Sequence, residues 1–340
     1  MENKQPILSI CIPTYNRCEI LEENLANLIQ LTEFNEEVEV IISDNASSDK
    51  TEMIARAYAS KFYNIRYYRN NINVHDHNFE LAMNRGSGHY IKLLNDRIKL
   101  TNDGLRYIKS KIKEHIVDRT PIFFTDDTIY TKKKAEMIVC TSLDEYIQSI
   151  STFVTLIGIF GAWKEQWENI NNKSKYAHLL LSQIDWSYQI VLKGKGCVIY
   201  DKRVTLPVSV SLGVRSGYNW FKVHLDNYYM IMQPYIESSL ITKATYKQDK
   251  KYLFKHFTPE LINIYILIKK NKYFKFDTKH TFSYLWKYYK EEYYLYLVLL
   301  LYPIWWIYYN FICPLRKLIP KSLKYTLKKI LQNNKFNEII

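Results

Sequence analysis

The sequence predicts an α/β fold: a mostly parallel sheet with helices on both faces, followed by a helical, basic C-terminal region. Three observations predict it. Short, continuous apolar runs alternate with helix-period segments through the first half, as they do in parallel sheets buried on both sides. Strand patterns stop beyond about Asp226, where long Tyr- and Lys-rich helical stretches take over. All of the net charge, 47 − 34 = +13, lies in the last 98 residues, because residues 243–340 hold 19 Lys+Arg against 6 Asp+Glu.

In order, Ile7–Ile12 reads as a buried strand and Glu19–Leu31 as the helix after it. Val38–Ser43 and Ile65–Tyr68 are strands flanking a helix over Asp49–Phe62, with Asp49 as its N-cap. Asp76–Arg85 is helical and Tyr90–Leu94 is the fourth strand. The pattern is less clean from Thr101 to Tyr200. There Ile122–Phe124 and Val198–Tyr200 read as strands, and Tyr176–Lys193 as a helix closed by Gly194 and Gly196. A length of 340 residues suits two domains, cut near residue 225.

Apolar residues at 47% and charged residues at 24% exclude wholesale disorder. The five cysteines are odd in number and show no C-x-x-C spacing, so neither a disulfide framework nor a structural zinc site is expected. The N-terminal MENKQPILSICIP lacks a basic region followed by a long apolar one, which argues against a secretory signal.

The basic C-terminal part implies a polyanionic partner, nucleic acid or an anionic membrane. Leu295–Ile312 carries no formal charge but contains Pro303, Trp305, Trp306, Tyr308 and Tyr309. As a helix it would span about 27 Å, just short of a ~30 Å hydrocarbon core. Leu315–Leu331 mixes one apolar face with Arg316, Lys317, Lys321, Lys324, Lys328 and Lys329, the pattern of a helix lying in an anionic interface. A long apolar run is not what duplex binding needs, so the segment 295–331 is expected on a membrane surface and not on nucleic acid.

Ligands of parallel sheets sit outside the carboxyl ends of the strands. Pro13–Arg17, Asp44–Ser48 and Asn95–Lys99 occupy such ends. Pro13, Thr14, Tyr15 and Asn16 can wall, hydrogen-bond and stack on a base, and Asp44 with Asn45 can accept from and orient one. Each stretch also reads as a plain turn or a helix-capping loop. Among other candidates, Trp163 and Trp167 suit either a sugar platform or the core, and Asp126-Asp127 either a metal pair or a turn.

The stretches LSICIPTYNR (8–17), IISDNASSDKT (41–51), HYIKLLND (89–96) and IDWSYQIVLKGKG (184–196) together resemble family 2 glycosyltransferases. SDNASSDKT and GIFGAWKEQW (158–167) are most similar to the abequosyltransferase-like bacterial subgroup. The resemblance covers about residues 7–220. It implies a GT-A (Rossmann-like) fold, an inverting transfer from a nucleotide diphospho-sugar, and a glycan or polyprenyl-linked acceptor at the cytoplasmic face of a bacterial membrane. Residues 1–225 would then be the catalytic domain.

The third stretch departs from the family pattern. Where a carboxylate cluster for Mg²⁺ or Mn²⁺ is usual, this chain has Asn95-Asp96-Arg97. Asp96 alone can serve as a metal ligand if donor phosphates complete the shell. Arg97 can pair with the diphosphate, partly replacing the metal, or repel it. In the fourth stretch the resemblance makes Asp185 the base that takes the acceptor proton. His178, two helical turns earlier, is the runner-up. Arg215 is expected on a loop, either one that closes over the donor with Arg215 on a phosphate or a plain surface loop. The alternative to an enzyme is a catalytically degenerate module that binds a glycan or nucleotide-sugar.

Overall fold

A computed structural model describes residues 5–125, 135–209, 215–265, 274–308 and 311. Its contacts divide the chain discontinuously, whereas the sequence pattern suggests one cut near 225. One unit comprises Met1–Gly213 and Asn227–Tyr246; the other comprises Val214–Asp226 and Lys247–Ile340.

The first unit opens with β1 (Leu8–Thr14), α1 (Cys18–Leu28), β2 (Val38–Asp44), α2 (Thr51–Lys61), β3 (Ile65–Arg69), α3 (His77–Arg85), β4 (Tyr90–Leu93), β5 (Ile98–Leu100) and α4 (Asn102–Glu114). It continues with β6 (Ile122–Thr125), β7 (Met137–Cys140), α5 (Leu143–Ile150), β8 (Gly161–Trp163), α6 (Lys164–Glu168), α7 (Ser182–Lys193), β9 (Cys197–Asp201) and β10 (Thr205–Pro207). The main sheet runs β3-β2-β1-β4-β8, with β1 to β4 parallel and β8 antiparallel at the edge. A separate three-stranded sheet, β6-β9-β7, and the short pair β10-β5 accompany it.

β1, β2 and β4 are buried along their whole length because both faces are covered. Ile10, Ile12, Val40 and Ile42 share one core with Leu21, Leu25 and Leu28 of α1. α3 packs on the opposite face, against β1 and β2, and buries Ala82 and Met83. Each fully buried Leu or Ile contributes on the order of 2 kcal/mol.

One polar knot crosses this core and fixes where β4 begins. The Ser9 hydroxyl donates to Glu39 Oε1 (2.5 Å), and the Gly88 amide donates to Ser9 Oγ (2.7 Å). A side chain at Gly88 would come within 2.8 Å of the Ser9 amide nitrogen, so only glycine lets β4 dock here.

Several boundaries differ from the sequence reading. The expected helix over Tyr176–Lys193 is broken. A 3-10 turn at Ala177–Leu179 ends on Leu180 in the left-handed region (φ 64), and α7 starts afresh at Ser182. Asp49 is not the N-cap of α2. Its carboxylate instead accepts from the amides of Cys18 and Thr51, joining the starts of α1 and α2. Trp163 and Trp167 are wholly buried and belong to the core.

In chain order β11 (Arg215–Asn219), α8 (Tyr228–Glu237), α9 (Lys243–Tyr265), β12 (Phe274–Asp277), α10 (Thr281–Tyr289) and α11 (Tyr293–Ile307) complete the described elements. In the second unit β11 pairs in parallel with β12, so a strand does occur after Asp226. Its core joins Phe254, Tyr289 and Tyr294, with ring centroids 4.8 to 6.1 Å apart. Asp126-Asp127 and the basic segment Leu315–Leu331 lie outside the described residues.

Candidate active site

Three strand ends are drawn together by hydrogen bonds at the carboxyl edge of the main sheet. Thr14, the last residue of β1, stands opposite Asp44, the last of β2, which stands opposite Arg69, the last of β3. The Asn45 amide donates to the Thr14 carbonyl (3.0 Å). The Thr14 hydroxyl reaches the loop after β4 and donates to Asp96 Oδ2 (3.1 Å). Pro13, within β1, aligns with Ser43 of β2. Asn16 takes the left-handed region (φ 50), accepts from the Ser48 amide with Oδ1 (2.7 Å), and donates its own amide to Ser47 Oγ (2.9 Å). Asn tolerates that conformation better than most residues. The result is a cradle with a fixed polar floor and one open wall, the 43%-exposed Tyr15 ring.

The floor is built from Asp44 and Asn45. Asp44 is fully buried; its Oδ1 accepts from the Ser47 amide (2.9 Å) and its Oδ2 from Tyr67 (2.7 Å) and Arg69 (3.1 Å). Burial and this carboxylate push the Tyr67 hydroxyl pKa up, so Tyr67 stays a donor. Asn45 is held on both ends of its amide, donating to Asn73 (2.8 Å) and accepting from Val74 (2.9 Å).

Asp96 is 1% exposed, and Arg17 Nη1 donates to its Oδ1 at 2.7 Å. Burial raises the Asp96 carboxyl pKa; the Arg17 charge and hydrogen bond pull the other way, with Thr14 and the more distant Arg97 charge adding to them. The loop is pinned from α1, where buried Asn24 donates to the carbonyls of Asp96 (3.2 Å) and Ile98 (2.6 Å). The Arg97 amide donates to Asn95 Oδ1 (3.0 Å). Sequence reading missed Arg17, Asn24, Tyr67 and Arg69. Arg17 closes the stretch LSICIPTYNR and sits one helical start away from Asn24, but nothing in the pattern says that its partner is Asp96.

A divalent ion does not fit this donor set as it stands. Both oxygens of the one carboxylate already accept hydrogen bonds, and a guanidinium occupies one side of it. Among the described residues no three His, Cys, Asp or Glu side chains converge to hold a metal.

Asp185 stands in the first turn of α7 and is 3% exposed. Its Oδ1 accepts from Tyr235 of α8 (2.6 Å) and its Oδ2 from Gln189 (2.8 Å). Chain and packing bring this turn toward the same sheet edge: the Leu93 amide at the end of β4 donates to Phe160, whose ring lies 5.3 Å from that of Trp186. His178 does not share a helix with Asp185. It lies on the exposed 3-10 turn beyond the Leu180 break, because that left-handed residue ends the turn. Arg215 begins β11 of the second unit, opposite Phe274, and is therefore on a strand and not a loop.

A mostly parallel sheet, covered on both faces and carrying its polar cradle at the carboxyl edge, defines a nucleotide-binding type of α/β protein. Residues 9–154 match the family model Glycosyl transferase family 2. It is 29% identical over 196 residues to the abequosyltransferase RfbV of Salmonella typhimurium, covering 50% of this chain and 56% of that one. It is also 29% identical over 114 residues to a GalNAc(5)-diNAcBac-PP-undecaprenol beta-1,3-glucosyltransferase of Campylobacter jejuni, covering 32% and 35%. The chain thus spans about half the length of the first relative and about a third of the second. Residues 1–349 of S. aureus TarS, solved in complex with UDP, share the fold with a TM-score of 0.51 at 16% identity, over 76% of this chain and 75% of that one.

Proposed function

We propose that this protein is an inverting, hexosyltransferase-type glycosyltransferase. It moves a sugar from a nucleotide diphospho-sugar, a UDP-sugar, to a hydroxyl of a lipid-linked or cell-surface glycan in bacterial polysaccharide biosynthesis. The observation that carries this reading is the Thr14 link, which ties the ends of β1, β2 and β4 into one cradle. Similarity to an abequosyltransferase and to a transferase named for an undecaprenol-linked substrate supports it.

In this reading the base lies over Tyr15 and is read by Asp44 and Asn45, while Thr14, Asn16 and Pro13 shape the slot. Asp185 takes the proton of the acceptor hydroxyl as its oxygen attacks the anomeric carbon. The bond from that carbon to the diphosphate oxygen breaks, and UDP leaves with the electron pair. Arg17 and Arg97 meet the charge that develops on it. Tyr235 and Gln189 orient the Asp185 carboxylate by donating to its two oxygens. The chain works at the cytoplasmic face of the membrane, peripheral or monotopic, with its basic C-terminal region on the anionic surface.

The test pairs a UDP-sugar screen with Asp185→Asn. Donor binding, read as a rise in melting temperature, should persist in the variant while turnover falls at least ~100-fold, as for other general-base losses. Running both with EDTA and with Mn²⁺ or Mg²⁺ decides whether the metal expected at Asp96 takes part. Unchanged turnover would remove Asp185, leaving His178 as the next residue to replace. The single, occupied carboxylate at Asp96 favours a second reading, a degenerate binding module, and UDP-sugar binding without any turnover of the unmutated chain would establish it.

A further inference from the structure

We infer that α11, with the adjoining edge of α10, lies along the interface of an anionic bilayer, and that Lys251 and Lys255 of α9 seat lipid phosphates beside it. This deepens the surface-anchoring part of the functional reading and is independent of sugar transfer.

The argument starts from an inverted pattern. A helix on the surface of a soluble protein turns its charged side outward. The fifteen residues of α11 include no charge, and it is the buried side of the helix that is fixed, by Tyr294, Leu295 and Val298. The outward side carries Tyr293, Leu297, Leu300 (72% exposed), Ile304 (61%) and Ile307, spaced four, three, four and three residues apart. That spacing alone would also suit a helical partner. Tyr296, Leu299 and Trp306 are exposed too, and they widen the apolar surface beyond the two-in-seven seam that one partner helix covers. The apolar surface continues onto α10 through ring contacts: Phe282 stacked on Trp286 at 5.9 Å and Trp286 edge-on to Tyr296 at 6.3 Å. Aromatic rings of this kind favour the headgroup level of a bilayer. Among the described residues no helix is long and apolar enough to cross a membrane.

Charge selects the occupant. The second unit holds 20 Lys+Arg and 7 Asp+Glu, so the whole +13 is there and the first unit is neutral, with 27 of each. A second copy of a +13 unit would be repelled from this face. Residues 312–340, with seven Lys+Arg and one acid, would be repelled as well. An anionic leaflet is attracted. Lys251 and Lys255, one helical turn apart and both exposed, line a shallow crevice whose opposite wall is Tyr293, Leu297 and Leu301. Among the described residues neither lysine has a carboxylate partner. A crevice with two ammonium groups on one lip and apolar side chains on the other matches a lipid phosphate and the first part of its chain.

The experiment is vesicle co-sedimentation of the full chain, using phosphatidylcholine with and without phosphatidylglycerol. The chain should partition onto the anionic vesicles. Lys251→Ala with Lys255→Ala should weaken that partition about 25-fold, at about fivefold per lysine near such a surface. Leu300→Glu with Ile304→Glu should abolish it while the melting temperature and UDP binding stay unchanged. If that variant fails to fold, the lysine pair carries the test. No binding of the full chain to anionic vesicles overturns the proposal, as does lysine-independent binding. A concentration-dependent dimer that Leu300→Glu splits, seen by light scattering, overturns it in favour of a second copy. Vesicle binding without sugar transfer would instead count against the catalytic reading alone.

Discussion

At the scale of single residues, the pair Arg17–Asp96 sets the character of the site. A carboxylate 1% exposed is costly unless paired, and Arg17, about one-third exposed, is its nearest cation. Removing the arginine while keeping its length, as in Arg17→Met, should cost about 1–3 kcal/mol, less than a fully buried pair because solvent reaches Arg17. The pH dependence has a definite sign. The Asp96 pKa is raised above 3.8 by burial, so the folded state holds the proton more tightly than the unfolded chain does. Stability from this group is present at low pH and is lost as pH rises from about 4 through the raised value. Without Arg17 the pKa rises further and the loss deepens. Melting curves at acid and neutral pH should therefore separate wild type and variant more at neutral pH than in acid. An equal gap at both would show that Arg17 does not govern the ionisation of Asp96. The sequence showed that Asp96 lacks its usual second carboxylate. It did not show the substitute, because Arg17 and Asp96 are 79 residues apart and meet only through the sheet.

At the scale of elements, the four parallel strands of the main sheet were legible because each is a short, largely apolar run between helix-period segments, and their observed ends lie within two residues of the reading; the antiparallel edge strand β8, only three residues long, was not. Asp44 and Thr14 were legible as site residues for the same reason: they are where those runs stop. What was not legible depends on backbone geometry that composition does not encode. The break at Leu180, a non-glycine residue in the left-handed region, separates His178 from α7. The end of α7 shows the converse. Of the two glycines expected to close it, Gly194 has ordinary helical angles, while Gly196 takes φ 135 and would press a side-chain carbon to 2.3 Å from the Cys140 carbonyl. Gly196→Ala should thus destabilise the chain by about 2 kcal/mol or more, since it adds strain at positive φ to a backbone clash. Gly194→Ala would meet mainly the Pro121 ring, 2.4 Å away, and tests packing, not conformation. Urea denaturation of the two variants separates the causes: strain at Gly196 should persist when Pro121 is also made smaller, and the Gly194 penalty should not.

At the scale of the whole molecule, charge and chemistry are kept in different parts of the sequence. The neutral unit holds the cradle at the strand ends, and its cations there are few and individually paired, Arg17 with Asp96 and Arg69 with Asp44. The basic unit carries the entire excess. The two should therefore respond differently to salt. The Debye length falls from ~30 Å at about 0.01 M to ~3 Å at about 1 M, which screens dispersed surface charges against an extended anionic leaflet far more than it screens short, partly buried contacts. Across that range, binding to anionic vesicles should fall by orders of magnitude. UDP affinity, measured by calorimetry in the same buffers, should weaken much less, because contacts such as those of Asp44 and Asn45 are hydrogen bonds on a buried floor. If both fall in parallel, the nucleotide is held by diffuse charge, and the cradle at Thr14, Asp44 and Asp96 is not its seat. If neither falls, the apolar surface of α11 binds without help from Lys251 and Lys255, and the basic excess of the second unit serves some other contact.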